Sequence, residues 1–243
     1  MAGQANGRNC WAAILGDCGG PLTREHVISD CLFDGLSVTV QGFNWCKGQA
    51  VNVGTGGFAS KILCEKHNND LSNLDIAAKL ARDSIQEAHR IGAERIAAGL
   101  SKNWPRRVIK VNQTIFAQWC LKTLSNFSQV QAGSWSPNSA LVEIIFGKRK
   151  FPANTGLAIY AKVDSKIKIE NSFEIVPIMH STNGNIDAVV IKFSGFTFLA
   201  SWFVQLDQLT QNMIGYDRSS FIASGARPMQ IKFNGNVSLE FRR

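Results

Sequence analysis

Five of the six cysteines fall within the first 64 residues, at positions 10, 18, 31, 46 and 64, and the sixth stands alone at 120. The stretch they punctuate, to about residue 67, is rich in Gly and polar residues, and its apolar runs (Ala12 to Leu15, Leu36 to Val40, Ile62-Leu63) are short. It reads as loops with brief strands, which need pinning. Cys10, Cys18 and the pair Cys64-x-x-His67 supply the pins: three thiolates and one imidazole make a complete tetrahedral set for zinc. The clustering suits a metal knuckle with reduced thiols better than a secreted disulfide framework. Cys31 and Cys120 read as ordinary core residues.

The remainder has a different texture. From Leu71 to Leu100, apolar residues (Leu71, Leu74, Ala78, Ala81, Ile85, Ala88, Ile91, Ile96) recur mostly at three- and four-residue steps. That spacing predicts a long amphipathic helix, entered through Ser72-x-x-Asp75 as a cap, stopped at Gly99, and with Gly92 as the place where it can break. Pro105 and Arg106-Arg107 mark a linker. A second helix is expected from Gln113 to Leu124, then a loop through Gly133, Ser134, Ser136 and Pro137. Strands are expected at Leu157 to Val163, Phe173 to Met179, Ile186 to Phe193, Phe196 to Val204 and Met229 to Phe233.

Beside the cysteines stands a group suited to phosphodiester hydrolysis, which needs a base for water, a divalent cation to offset developing charge, and a frame for both. His26 is the natural base, since imidazole is substantially neutral near physiological pH; a hydrogen bond from its other ring nitrogen to a carbonyl would fix its tautomer. Glu25 offers a hard oxygen to Mg²⁺ or Mn²⁺. Asn68 offers a carbonyl oxygen from a helix start, where backbone N–H groups favour a phosphate. Asp75 reads as a helix cap rather than a ligand, and His89 and His180 as structural or exposed.

The stretch Cys18-Gly-Gly-Pro-Leu-Thr-Arg-Glu-His-Val-Ile, followed after an insert by Leu63-Cys-Glu-Lys-His-Asn-Asn-Asp-Leu-Ser-Asn-Leu-Asp75, resembles the HNH (ββα-metal) endonuclease family. The closest likeness is to its zinc-knuckle branch, with a Glu-His-Val-Ile segment and a Cys-x-x-Cys-Asn-Asn helix entry. It covers roughly residues 10 to 78. The resemblance implies a β-hairpin followed by a helix around one catalytic divalent ion, with His26 activating water and Asn68 at the metal-facing third position, a place Asn69 takes if the register shifts by one. Where the family usually has a second cysteine this chain has His67, which is expected on zinc with Cys10, Cys18 and Cys64; the alternative places His67 on the catalytic ion and leaves zinc to the cysteines with Cys46. Cys10 and Cys18 are also further apart than the family's pair. The family's middle Asn, which orients the histidine, has two candidates, Asn44 and Asn52.

The formal charge of +8 is unevenly spread. Residues 1 to 99 carry 9 Lys/Arg against 10 Asp/Glu, and residues 100 to 243 carry 17 against 8. A basic half beside a near-neutral one fits a nucleic-acid protein, with Lys102 to Lys110, Lys148 to Lys150 and Trp104 as candidate phosphate and base contacts. The expected fold is α+β: an N-terminal HNH module with a zinc knuckle and long helix over residues 1–100, then a basic domain over 101–243 with a helix and a mainly antiparallel sheet. The second domain is expected to hold DNA (RNA is less favoured), a protein partner or a second copy. No run reaches the roughly 18 apolar residues of a membrane span and no signal peptide is visible, so a cytoplasmic protein is expected. The expected activity is metal-dependent endonuclease cleavage of DNA; the alternative is a non-catalytic zinc-knuckle protein that only binds nucleic acid.

Overall fold

The computed structural model describes residues 9–35, 37–99, 103–131, 135–160, 173–179, 186–206, 209, 221–223, 229–233 and 235–242. Leu100, Lys102, Gly133, Ser134, residues 161–163 and His180, all singled out above, lie outside them. The fold is α+β in the expected order: small sheets, a long helix, then mixed and antiparallel sheets. Among the described residues no helix is long and apolar enough to cross a membrane.

The chain groups into two compact units, Met1–Ile76 with Leu121–Lys150, and Ala77–Cys120 with Phe151–Arg243. In the first unit, β1 (Leu22–His26) pairs antiparallel with β4 (Ala59–Cys64), and β2 (Ser37–Val40) with β3 (Val51–Gly54). The chain passes from β4 directly into α1 (Glu65–Asp70) and then α2 (Ser72–Ala97). The later part of α3 (Gln113–Val130) and α4 (Ser139–Ile145) complete this unit. The sequence reading missed α4. Its Leu141, Val142, Ile144 and Ile145 are all buried, its seven residues are too few to display a helical period, and the Asn138 side chain caps it by accepting from the Leu141 N–H at 2.9 Å.

In the second unit, a five-stranded sheet runs in the order β10 (Phe221–Ala223), β6 (Gly156–Tyr160), β9 (Phe196–Ser201), β8 (Ile186–Phe193), β7 (Phe173–Met179), with every pairing antiparallel. A three-stranded sheet has β12 (Val237–Arg242) at its centre, antiparallel to β11 (Met229–Phe233) and parallel to β5 (Arg107–Asn112). Thus Arg107, expected in a linker, begins a strand: β12 supplies the backbone partner that an isolated basic segment lacks. Phe116 of α3 packs edge-on against Phe198 of β9, with centroids 4.9 Å apart, and Phe116, Trp119 and Phe198 are fully buried.

The long helix keeps its expected face at Leu71, Leu74, Ala78, Ala81, Ile85 and Ala88, which are buried, but Ile96 is exposed. It runs through Gly92 without a break. Gly99 follows its end with φ of +99°, the left-handed turn that glycine takes most cheaply. The helix α3 continues six residues past the expected stop at Leu124. In that extension the Ser125 and Ser128 side chains are satisfied locally, their hydroxyls donating to the Leu121 and Leu124 carbonyls at 3.0 and 2.8 Å.

Candidate functional site

Backbone bonds gather the knuckle from three places in the chain. The Trp11 N–H donates to the Ile62 carbonyl at 3.1 Å, laying the segment after Cys10 beside β4. The turn after Cys18 meets the start of α1, where the Glu65 and Lys66 N–H groups donate to the Pro21 and Gly19 carbonyls at 2.9 and 3.0 Å. Gly20 makes this approach possible: its φ is +73°, and a Cβ there would lie 2.8 Å from that of Glu65.

The result is one cluster in which the ligand atoms of Cys10, Cys18, Cys64 and His67 all lie within 4.8 Å of one another. The His67 Nδ1 is 3.3, 3.4 and 3.7 Å from the Sγ atoms of Cys64, Cys10 and Cys18. A tetrahedral zinc with Zn–N of about 2.05 Å and Zn–S of about 2.3 Å would set nitrogen and sulfur about 3.6 Å apart, so both the donor set and its spacing fit. This buried cluster could bind a zinc ion. It brings His67 together with Cys10, Cys18 and Cys64, and the residues between Cys10 and Cys18 span their looser spacing by turning through a 3₁₀ segment at Ala13–Leu15. Cys46 stands apart, with its Sγ 3.8 Å from the Val40 carbonyl.

The surroundings are those of a ligand cluster. Asp17 Oδ1 lies 2.8 Å from His67 Nε2, the ring nitrogen facing away from the sulfurs, an arrangement that fixes the tautomer and orients the ring. The Asp17 carboxyl is held well below the usual range by hydrogen bonds from Lys66 and then His67. Burial pushes the Cys18 thiol up to about 12, with Cys10 nearby adding to the shift. Burial also raises Cys10. At Cys64 burial opposes the thiolate, but the backbone N–H groups of His67 and Gly19 outweigh it and lower the thiol. Phe146, just after α4, covers His67 edge-on at 5.2 Å.

The His26 end of β1 is tied to this frame. The Asn68 side-chain amide donates to the Arg24 carbonyl at 3.2 Å and to Thr23 Oγ1 at 2.9 Å, so α1 grips the strand that carries His26. The Asn68 Oδ1 keeps no partner among the described residues. The side chain of His26 is 34% exposed, with Nε2 4.0 Å from Asp30 Oδ2. The expected hydrogen bond from its ring to a carbonyl is absent among the described residues; Asp30 is the neighbour instead.

Glu25, one residue away, faces inward. Its side chain is 7% exposed, and Oε1 lies 2.7 Å from the Nζ of Lys122, itself 2% exposed. The Asn126 amide donates to the same Oε1 at 3.1 Å. Burial raises the Glu25 pKa, with Lys122 pulling against it. The Glu25 Oε2 has no partner among the described residues. Lys122 also donates to both Asp75 oxygens at 2.7 Å, and Ser29 donates to Asp75 Oδ1. Asp75 is therefore an ion-pair partner, not the expected cap, and Cys31, expected in the core, is half-buried with its Sγ 3.6 Å from the Asp75 carbonyl. Replacing Lys122 with methionine should cost about 3–5 kcal/mol in urea unfolding, since two carboxylates would be left facing each other without their cation. A loss below about 1 kcal/mol would show that the carboxylates are solvated independently.

Asn126 fastens the backbone at His26. Its amide donates to the His26 carbonyl at 2.9 Å, and its Oδ1 accepts from the Trp11 indole at 3.0 Å. The candidates expected for the family's middle Asn lie elsewhere: Asn44 bonds to Gln131, and Asn52 sits on β3 opposite Thr39. Several expected phosphate contacts are paired with acids: Arg106 with Glu240, Lys148 with Asp17 and Arg149 with Glu143. Trp104 lies under the Arg95 guanidinium, 5.4 Å from its ring centroid. Comparison with family models, with curated proteins and with solved structures returns no match to this chain.

Proposed function

We propose that this protein is a metal-dependent endonuclease that hydrolyses phosphodiester bonds in DNA, with His26 as general base. The observation that carries the reading is the bond from the Asn68 amide to the Arg24 carbonyl: it makes the helix start beside the Cys₃His cluster and the strand end at His26 one frame. Antiparallel β1 and β4 leading into α1 have the hairpin-and-helix order that the HNH resemblance implies. In this scheme zinc at Cys10, Cys18, Cys64 and His67 is structural. His26, partly exposed at the strand end, takes the proton from water, and Asn126 holds its backbone in place. The oxygens left unused by protein bonds, Glu25 Oε2 and Asn68 Oδ1, would hold Mg²⁺ or Mn²⁺, whose charge offsets that developing on the phosphate. The basic second unit would supply further attraction to DNA.

One observation favours a second reading. The buried pairing of Glu25 with Lys122 is what a purely structural glutamate looks like, as in a zinc-knuckle protein that binds nucleic acid without cutting it. Nicking of supercoiled plasmid in Mg²⁺, Mn²⁺ and EDTA separates the two. The parent should cut only with divalent metal, and Asn68→Ala should need a higher metal concentration for the same rate. Binding without cutting in every condition would favour the second reading.

A further inference from the structure

The outward face of the β1–β4 hairpin carries an arrangement that folding alone does not favour. Arg24 of β1 and Lys61 of β4 are Cα partners across the pair, and both are exposed. Like charges directly opposite each other on antiparallel strands are destabilising, whereas opposite charges there are favourable. Neither residue has a carboxylate to offset this. Lys61 has no hydrogen-bond or ion-pair partner among the described residues. Arg24 bonds only to carbonyls, its Nη2 donating to Gly56 and Ala59 at 3.1 and 3.2 Å. Those bonds anchor the guanidinium on the turn before β4 and leave its Nε and Nη1 donors unused. By contrast Lys66, Lys122, Lys148 and Arg149 of the same unit all have acidic partners.

Strand alternation places His26 on the same face as Arg24, two residues along and roughly 7 Å away, while Glu25 between them is buried. We infer that Arg24 and Lys61 form a clamp for a backbone phosphate of the nucleic acid, next to the phosphate presented to His26. An anion between the two cations removes their repulsion. The anchored, planar guanidinium offers directed donors, and the lysine offers a mobile point charge. The clamp rests on the nuclease reading and gives it an axis, because the bound strand lies along β1 past both Arg24 and His26.

The test uses Lys61→Glu and Lys61→Gln in the full chain, each made in a His26→Ala background so that DNA stays intact. Affinity for a short labelled duplex is followed across a range of salt, beside thermal melting. One phosphate contact contributes a slope of about 0.9 in log K against log salt, about fivefold at physiological ionic strength. Lys61→Gln should lose that slope and that affinity, and Lys61→Glu should lose at least as much. Lys61→Glu should nevertheless melt at or above the parent temperature, since Arg24 then faces a carboxylate. Weaker binding together with undiminished stability supports the clamp. Unchanged affinity and slope in a parent that binds and cuts DNA overturns the clamp and leaves the nuclease reading standing. A parent that neither binds nor cuts DNA overturns both.

Discussion

Cys64→Ala is expected to lose bound zinc and, with it, the folded state of the unit formed by Met1–Ile76 and Leu121–Lys150. Cys64 ends β4, and the next three residues lead to His67 in α1, so the change removes one of the four side chains that could hold zinc, at the point where strand and helix are joined. Structural zinc sites contribute roughly 10–16 kcal/mol to folding in small zinc peptides, against a total stability of about 5–15 kcal/mol for an ordinary domain. Backbone pairing adds little to the first unit's early segments. Its two-stranded sheets are short, and isolated two-stranded pairs are marginal in water. Metal content by elemental analysis and melting by circular dichroism check the expectation, with Cys120→Ala as the control. Cys120 is fully buried in the other unit and outside the cluster, so its loss should leave the zinc in place. A Cys64→Ala protein that melts like the parent would show that the four side chains are only a packed core.

The parts of this molecule that sequence makes visible are those with short-range signals. Cys64-x-x-His67 is a local spacing, and the stripe from Leu71 to Ala88 is a local period; both stand in the structure where expected. What escaped depends on residues distant in the chain. Lys122 and Asn126 carry no local signal of their role, because folding sets them against Glu25 and the His26 carbonyl, about a hundred positions earlier. Asp17, next to Cys18, belongs to no motif in the sequence, yet it orients His67, fifty positions later. The strand β5 was invisible for the same reason, since its partner β12 lies at the other end of the chain. Asp75 was misread because capping is the local use of an acid in a first turn, and a buried lysine offers a stronger long-range one.

His26→Ala tests the central claim most directly. His26 is the partly exposed titratable group at the end of β1, with its carbonyl held by Asn126 and its strand held by Asn68. Removing a positioned general base typically slows a reaction by about 10²–10⁴-fold. Because the ring makes no hydrogen bond among the described residues, alanine should leave the fold and zinc content unchanged. The measurement is the single-turnover rate of plasmid nicking by parent and His26→Ala in Mg²⁺ or Mn²⁺, with zinc content and melting temperature determined on the same samples. The account predicts cutting by the parent that stops in EDTA, and a variant with intact zinc and stability but a rate at least about a hundredfold lower. A variant that cuts as fast as the parent, or a parent that never cuts in any metal while still binding DNA, would contradict it.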